Sequence, residues 1–227
     1  MSVCLGATGG SRGCTQIAQA TRYAGLSALA VGDVSGSGTP EIALGVTNEV
    51  DPAGSVYVFE LVDGTPSRVE QVRHLTQATR GVPGSSEYGD GFGASVAIGD
   101  LDEDGYGDLV IGSPGEDEGQ GRVTVVRGAQ KGWRTSGNKA YDQDTEGIPG
   151  AAEPYDSFGA SVTLLDDDAD GRLDLTVGAP RENESGAITT LRGTRRGLTT
   201  KGSQTFGLGS VGYPYPDSAQ FGATLGR

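Results

Sequence analysis

Basic residues, cysteine and long apolar runs are scarce in this chain, and each shortage closes off a class of function. Lys and Arg number 17 against 30 Asp and Glu, for a net charge of −13 and a pI of about 4.4. So acidic a chain offers no basic face to a phosphate backbone, which excludes nucleic acid as a partner. Cys4 and Cys14 are the only cysteines, too few for a disulfide framework. They either bridge a hairpin in an oxidising compartment or stay as free thiols. No run approaches the ~20 apolar residues of a membrane span, so membrane insertion is not expected. The opening MSVCLGATGG has neither the basic region nor the apolar run of a signal peptide, and the chain as written is expected to stay in the cytoplasm. His74 is the single histidine and no G-x-S-x-G elbow occurs, so a Ser-His-Asp hydrolase lacks its signature. The glycine-rich TGGSRGC (8–14) has Thr15 where a dinucleotide turn needs its last glycine, and no Tyr-x-x-x-Lys pair accompanies it. No catalytic residue set emerges, and no enzyme is expected.

Glycine is abundant, with 40 residues and no collagen period, which points to an all-β chain with many tight turns. The turns recur in register. Residues 92–114, FGASVAIGDLDEDGYGDLVIGSP, return at 158–180 as FGASVTLLDDDADGRLDLTVGAP, identical at 13 of 23 positions with no gap. A weaker copy, GLSALAVGDVSGSGTPEIALG, occupies 25–45, and FGATL opens another at Phe221. Each copy reads as strand, acidic loop, strand, followed by an alternating third strand (SVYVFELV, VTVVRG, AITTLRG). RVEQVRHLTQ (68–77) reads as a further strand or a short helix, with His74 on its surface. Segments 131–156 and 197–218 read as loop-rich, the first with one weak strand. Four short strands per unit of about 65 residues is the pattern of a β-propeller blade. The expected units are 1–24 (the end of a blade), 25–91, 92–157, 158–220 and 221–227 (the start of another), about three and a half blades in all.

The acidic loops carry the chemistry. DLDEDGYGD and DDDADGRLD place acids at positions one, three, five and nine, with glycine at six. Calcium takes about six to eight oxygen ligands, and alternate positions of a tight loop can converge on one ion. The expected ligands are Asp100, Asp102, Asp104, the Tyr106 carbonyl and Asp108 in one loop. In the other they are Asp166, Asp168, Asp170, the Arg172 carbonyl and Asp174. An EF-hand shares the D-x-D-x-D-G start but needs flanking helices and a Glu at position twelve, where Ile111 and Val177 stand. In the first unit Asp33, Ser35, Ser37, Thr39 and Glu41 make a depleted version, a weak site at best. Trp133 is expected to be packing. GEDEG (115–119) and RENESG (181–186) are expected to be exposed charged hairpins, with a second ion or a partner's basic group as the alternative.

Phe-Gly, then D-x-D-x-D-G-x-x-D, then Gly-[Ser/Ala]-Pro, resembles the FG-GAP repeat, the blade unit of integrin α propellers and of the glycosylphosphatidylinositol-specific phospholipase D family. The resemblance implies an FG-GAP β-propeller whose Asp loops bind Ca2+, set in an extracellular or cell-surface adhesion or ligand-binding module. It also implies a protein or carbohydrate ligand. The alternative is the accessory propeller of a secreted hydrolase. Seven blades of about 65 residues exceed this chain, so a ring would need the remainder of a longer propeller or a second copy in a homodimer.

Overall fold

The structure is a computed structural model that describes residues 2–3, 15–16, 25–47, 53–61, 69–130, 132–213 and 219–226. Cys4 and Cys14 lie outside the described residues. A short antiparallel pair, β1 (Ser2–Val3) and β2 (Thr15–Gln16), precedes three four-stranded antiparallel meanders. The first comprises β3 (Leu26–Gly32), β4 (Glu41–Val46), β5 (Ser55–Leu61) and β6 (Val69–Leu75). The second comprises β7 (Ser95–Gly99), β8 (Asp108–Ser113), β9 (Arg122–Val126) and, after the small hairpin β10 (Gly128–Ala129) and β11 (Gly132–Trp133), β12 (Lys139–Tyr141). The third runs β13 (Ser161–Leu165), β14 (Asp174–Ala179), β15 (Ala187–Arg192) and β16 (Thr199–Gly207). The first strands β3, β7 and β13 are neighbours across the sheets, so the meanders fan out as propeller blades with their first strands innermost.

Two readings of the sequence are resolved by these strands. Segment 68–77 contains the strand β6, with His74 exposed and its ring stacked on Tyr57 at 4.4 Å. The supposed loop-rich 197–218 contains nine-residue β16, an outer strand that is exposed or half-exposed throughout. An edge strand with so little buried surface carries no apolar alternation to betray it.

The second strands are buried along their whole length because a sheet covers each face. Ala30, Ala43, Val56 and Val58 of the first blade meet Val96, Ile98, Leu109 and Ile111 of the second. The other face of the second blade (Ala97, Val110, Val123, Val125, Tyr141) meets Leu175, Val177 and Leu191 of the third. This is why these strands read as short continuous apolar runs. Trp133 packs half-buried against the first of these clusters.

A backbone latch joins each blade to the next. The Phe92, Phe158 and Phe221 amides donate to Ala53, Gln120 and Ser185 of the preceding blade, at 2.7, 3.0 and 2.9 Å. Each following glycine (Gly93, Gly159, Gly222) has φ near +90°, a conformation open to glycine at little cost. Its carbonyl oxygen lies against Gly45, Gly112 or Gly178 on the preceding blade's second strand, so closely that a Cβ there would overlap it. Ser95 and Ser161 hydroxyls then donate to the Gly159 and Gly222 carbonyls, at 2.7 and 2.6 Å. The Phe-Gly and Gly-Ser/Ala-Pro signatures are thus two halves of one contact between successive blades.

Candidate metal centre

The acidic loops link the first and second strands of each blade. Position one closes the turn: Asp100 accepts the amides of Asp104 and Gly105 (3.1 and 2.9 Å), and Asp166 those of Asp170 and Gly171 (3.0 and 2.9 Å). Asp33 does the same for Ser37 and Gly38 (3.0 and 2.6 Å). Position five pins position seven, with the Tyr106 and Arg172 amides each 3.0 Å from Asp104 and Asp170. In the first loop the Thr39 amide donates to the Ser37 hydroxyl in the same way, at 3.2 Å, and that hydroxyl donates back to the Thr39 carbonyl. Position nine is buried. Asp108 accepts from Leu101 (3.3 Å) and Gly128 (2.9 Å), and Asp174 from Asp167 (3.1 Å) and Gly193 (2.7 Å). These residues tie each loop to the end of the third strand. Glu41 makes the corresponding bond to Val34 at 2.8 Å. Burial pushes the Asp108 carboxyl up to about 6, against the backbone bonds that lower it.

Two triads of carboxylates converge. Asp100, Asp102 and Asp104 present oxygens within 4.8 Å of one another, and so do Asp166, Asp168 and Asp174. The first triad does not include Asp108, nor the second Asp170. The depleted first loop forms no such triad among the described residues; its Ser35 and Glu41 instead line a cavity of about 210 Å³ with Glu60, Arg73 and Trp133. The donor set is all oxygen, which suits a hard divalent cation. Asp102, with its side chain only 9% exposed, keeps one carboxylate oxygen buried and without a hydrogen-bond partner.

Arginines flank both triads. Arg127 pairs with Asp102 and lies 3.5 Å from Asp108, and Arg134 is 2.5 Å from Asp104. Arg192 pairs with Asp168, and Arg172 is 3.0 Å from Asp170 and 3.2 Å from Glu103 of the neighbouring loop. Sequence reading assigned these side chains no part. The signal that would have found two of them is the Arg-Gly at the C-terminal end of the third strand in both regular units.

The opposite rim corrects an expectation. Glu116 and Glu182 are not exposed hairpin acids; both are buried, bonded to the equally buried Gln77 and Gln143 at 2.5 Å. The signal was Gln-x-Thr-x-Gly, repeated at 77 and 143. Glu116 is neutralised by Arg122 at 2.5 Å. The register puts Ala187 where Arg122 stands, and Glu182 takes an Asn183 amide instead, at 2.7 Å. Burial, with Asp156 and Glu153 adding repulsion, pushes the Glu182 carboxyl up to about 7 although the Gln143 bond opposes it. Between its unfolded value and about 7 the folded state holds a proton the unfolded state lacks, so this group's contribution to stability falls as pH rises. Melting curves from pH 5 to 8 are expected to show wild type losing on the order of 2 kcal/mol relative to Glu182→Gln. Parallel pH dependences would refute this.

The fold and loops define a class: a β-propeller segment with acidic first-to-second-strand loops and a Phe-Gly latch between blades. The FG-GAP repeat family matches residues 92–126 and 158–191, so the second and third blades carry FG-GAP repeats. Phosphatidylinositol-glycan-specific phospholipase D of Bos taurus is 35% identical over 115 residues, covering 47% of this chain and 14% of that protein. Integrin alpha-4 of Xenopus laevis is 28% identical over 174 residues, covering 75% and 15%. Integrin alpha-7 of Rattus norvegicus is 34% identical over 129 residues, covering 54% and 11%. The chain therefore spans about one-seventh or less of these relatives' length. The solved structure of an exotype rhamnogalacturonan lyase, YesX, overlaps at a TM-score of 0.45 with 16% identity, covering 78% of this chain and 32% of that one, too low to bear on function. No helix among the described residues is long and apolar enough to cross a membrane.

Proposed function

We propose that this chain is a calcium-braced, non-catalytic propeller segment serving an extracellular or cell-surface protein in adhesion or ligand binding. The observation that supports it is the pair of convergent oxygen triads, in register on successive blades. Asp100, Asp102 and Asp104 would hold one ion and Asp166, Asp168 and Asp174 the other. Asp108 and the Tyr106 carbonyl would complete the first site, Asp170 and the Arg172 carbonyl the second. Calcium there supplies positive charge to the loops and ties the innermost strand of each blade to its neighbour. The depleted loop of the first blade lacks the carboxylates for a comparable site.

Calorimetric titration of chelator-stripped protein with calcium chloride is expected to give two sites per chain, and one in Asp100→Asn or Asp166→Asn. Titration heats no larger than those of buffer would remove the calcium reading. A second reading, the accessory propeller of a secreted hydrolase, is favoured by the 35% match to a phospholipase D. A catalytic domain encoded in the same reading frame decides for it.

A further inference from the structure

The arginines at the C-terminal end of the third strand occupy the same position in two blades. Strand register makes Leu109 and Val126 partners in the second blade, and Leu175 and Leu191 in the third. Arg127 and Arg192, one residue on, are therefore equivalent. Each pairs with the position-three acid of its own loop, Asp102 or Asp168. The first blade supplies an internal comparison. There Ile42 pairs with Phe59, so Glu60 holds the arginine position. Position three of that loop is Ser35. The arginine accompanies the acid, and where the acid is missing the arginine is replaced by an opposite charge.

A divalent ion among three carboxylates sits about 2.3–2.6 Å from their oxygens. The Arg127 guanidinium already occupies one Asp102 oxygen and leaves the other unpartnered. A guanidinium and a divalent ion a few ångströms apart repel, strongly where water is scarce. The Arg127 side chain is only 14% exposed.

We propose that Arg127 and Arg192 are tethered counter-cations of the second and third acidic loops, holding the position-three carboxylates when no ion is bound and yielding to calcium when it enters. They thereby set the calcium affinity of their loops. The inference rests on the calcium reading, and its signature is a pair of opposite effects. Without the arginine the stripped loop loses its compensating charge, while the loop binds calcium more tightly.

The test is Arg127→Gln and Arg192→Gln, each titrated with calcium chloride after chelation and melted in chelator. Arg192 is half-exposed, so its variant preserves the test if Arg127→Gln does not fold. Each variant is expected to melt lower than wild type in chelator and to bind calcium about tenfold more tightly at the altered loop, as removal of a close like charge requires. Binding in the variants alone would also support the proposal. Unchanged or weaker binding in variants of a calcium-binding wild type overturns it and leaves the calcium reading standing. No binding in wild type or variants overturns both.

Discussion

Gly112→Ala is expected to cost about 3 kcal/mol, at the upper end for a single added methyl. The added Cβ would overlap the Gly159 carbonyl oxygen of the next blade and the Ser95 hydroxyl bonded to that oxygen. Neither obstacle can move freely. The carbonyl belongs to a backbone whose preceding amide is bonded to Gln120, and Ser95 sits on the innermost strand. Relief requires the second and third blades to part, which would open the cluster of Val110, Val123, Leu175 and Val177 between them. Gly209→Ala is the control, because a Cβ there meets nothing within 4 Å. Urea unfolding of the two variants should separate them clearly. A Gly112→Ala curve superimposed on wild type would show that the latch is not a close contact in solution.

Calcium is expected to raise the melting temperature by about 10–20 °C at an ion concentration one hundred times the dissociation constant. Each site then contributes about 2.7 kcal/mol through preferential binding to the folded state, and two sites about 5. For a chain of this size each kcal/mol moves the midpoint about 2–4 °C. The effect should be this large because the acid loops are otherwise a liability. Three carboxylates within 4.8 Å of one another repel, and the arginines beside them compensate only in part. Differential scanning calorimetry of one sample in calcium and then in chelator measures it. Coincident transitions would show that the loops hold no ion.

Much of the fold was legible because its signals are local and repeated. Each acidic loop is nine residues long, and its position-one carboxylate caps its own turn, as Asp100 and Asp166 do. Such a device is written in consecutive residues and survives reading without coordinates. Second strands such as Asp108–Ser113 and Asp174–Ala179 stand out as short apolar runs because both their faces are covered. The outer strand Thr199–Gly207 was missed for the opposite reason: an edge strand that faces water leaves no apolar rhythm. The rim acids Glu116 and Glu182 were misjudged because the burying partners, Gln77 and Gln143, stand 39 residues away, one at the end of a segment read as strand or helix and the other in a segment read as loop.

By itself the sequence determined the repeat, the strand–loop–strand unit and the carboxylates gathered within each loop. These rest on turn chemistry and on spacing within a few residues, which the chain carries wherever it goes. Tertiary structure alone decided which copies touch. It set the Phe-Gly of one blade on the second-strand glycine of the blade before it, because that glycine leaves room for a neighbour's carbonyl. It also brought Arg127 to Asp102 and Arg192 to Asp168, because strand register fixes which acid the end of the third strand meets, and the repeated Arg-Gly alone does not name that acid.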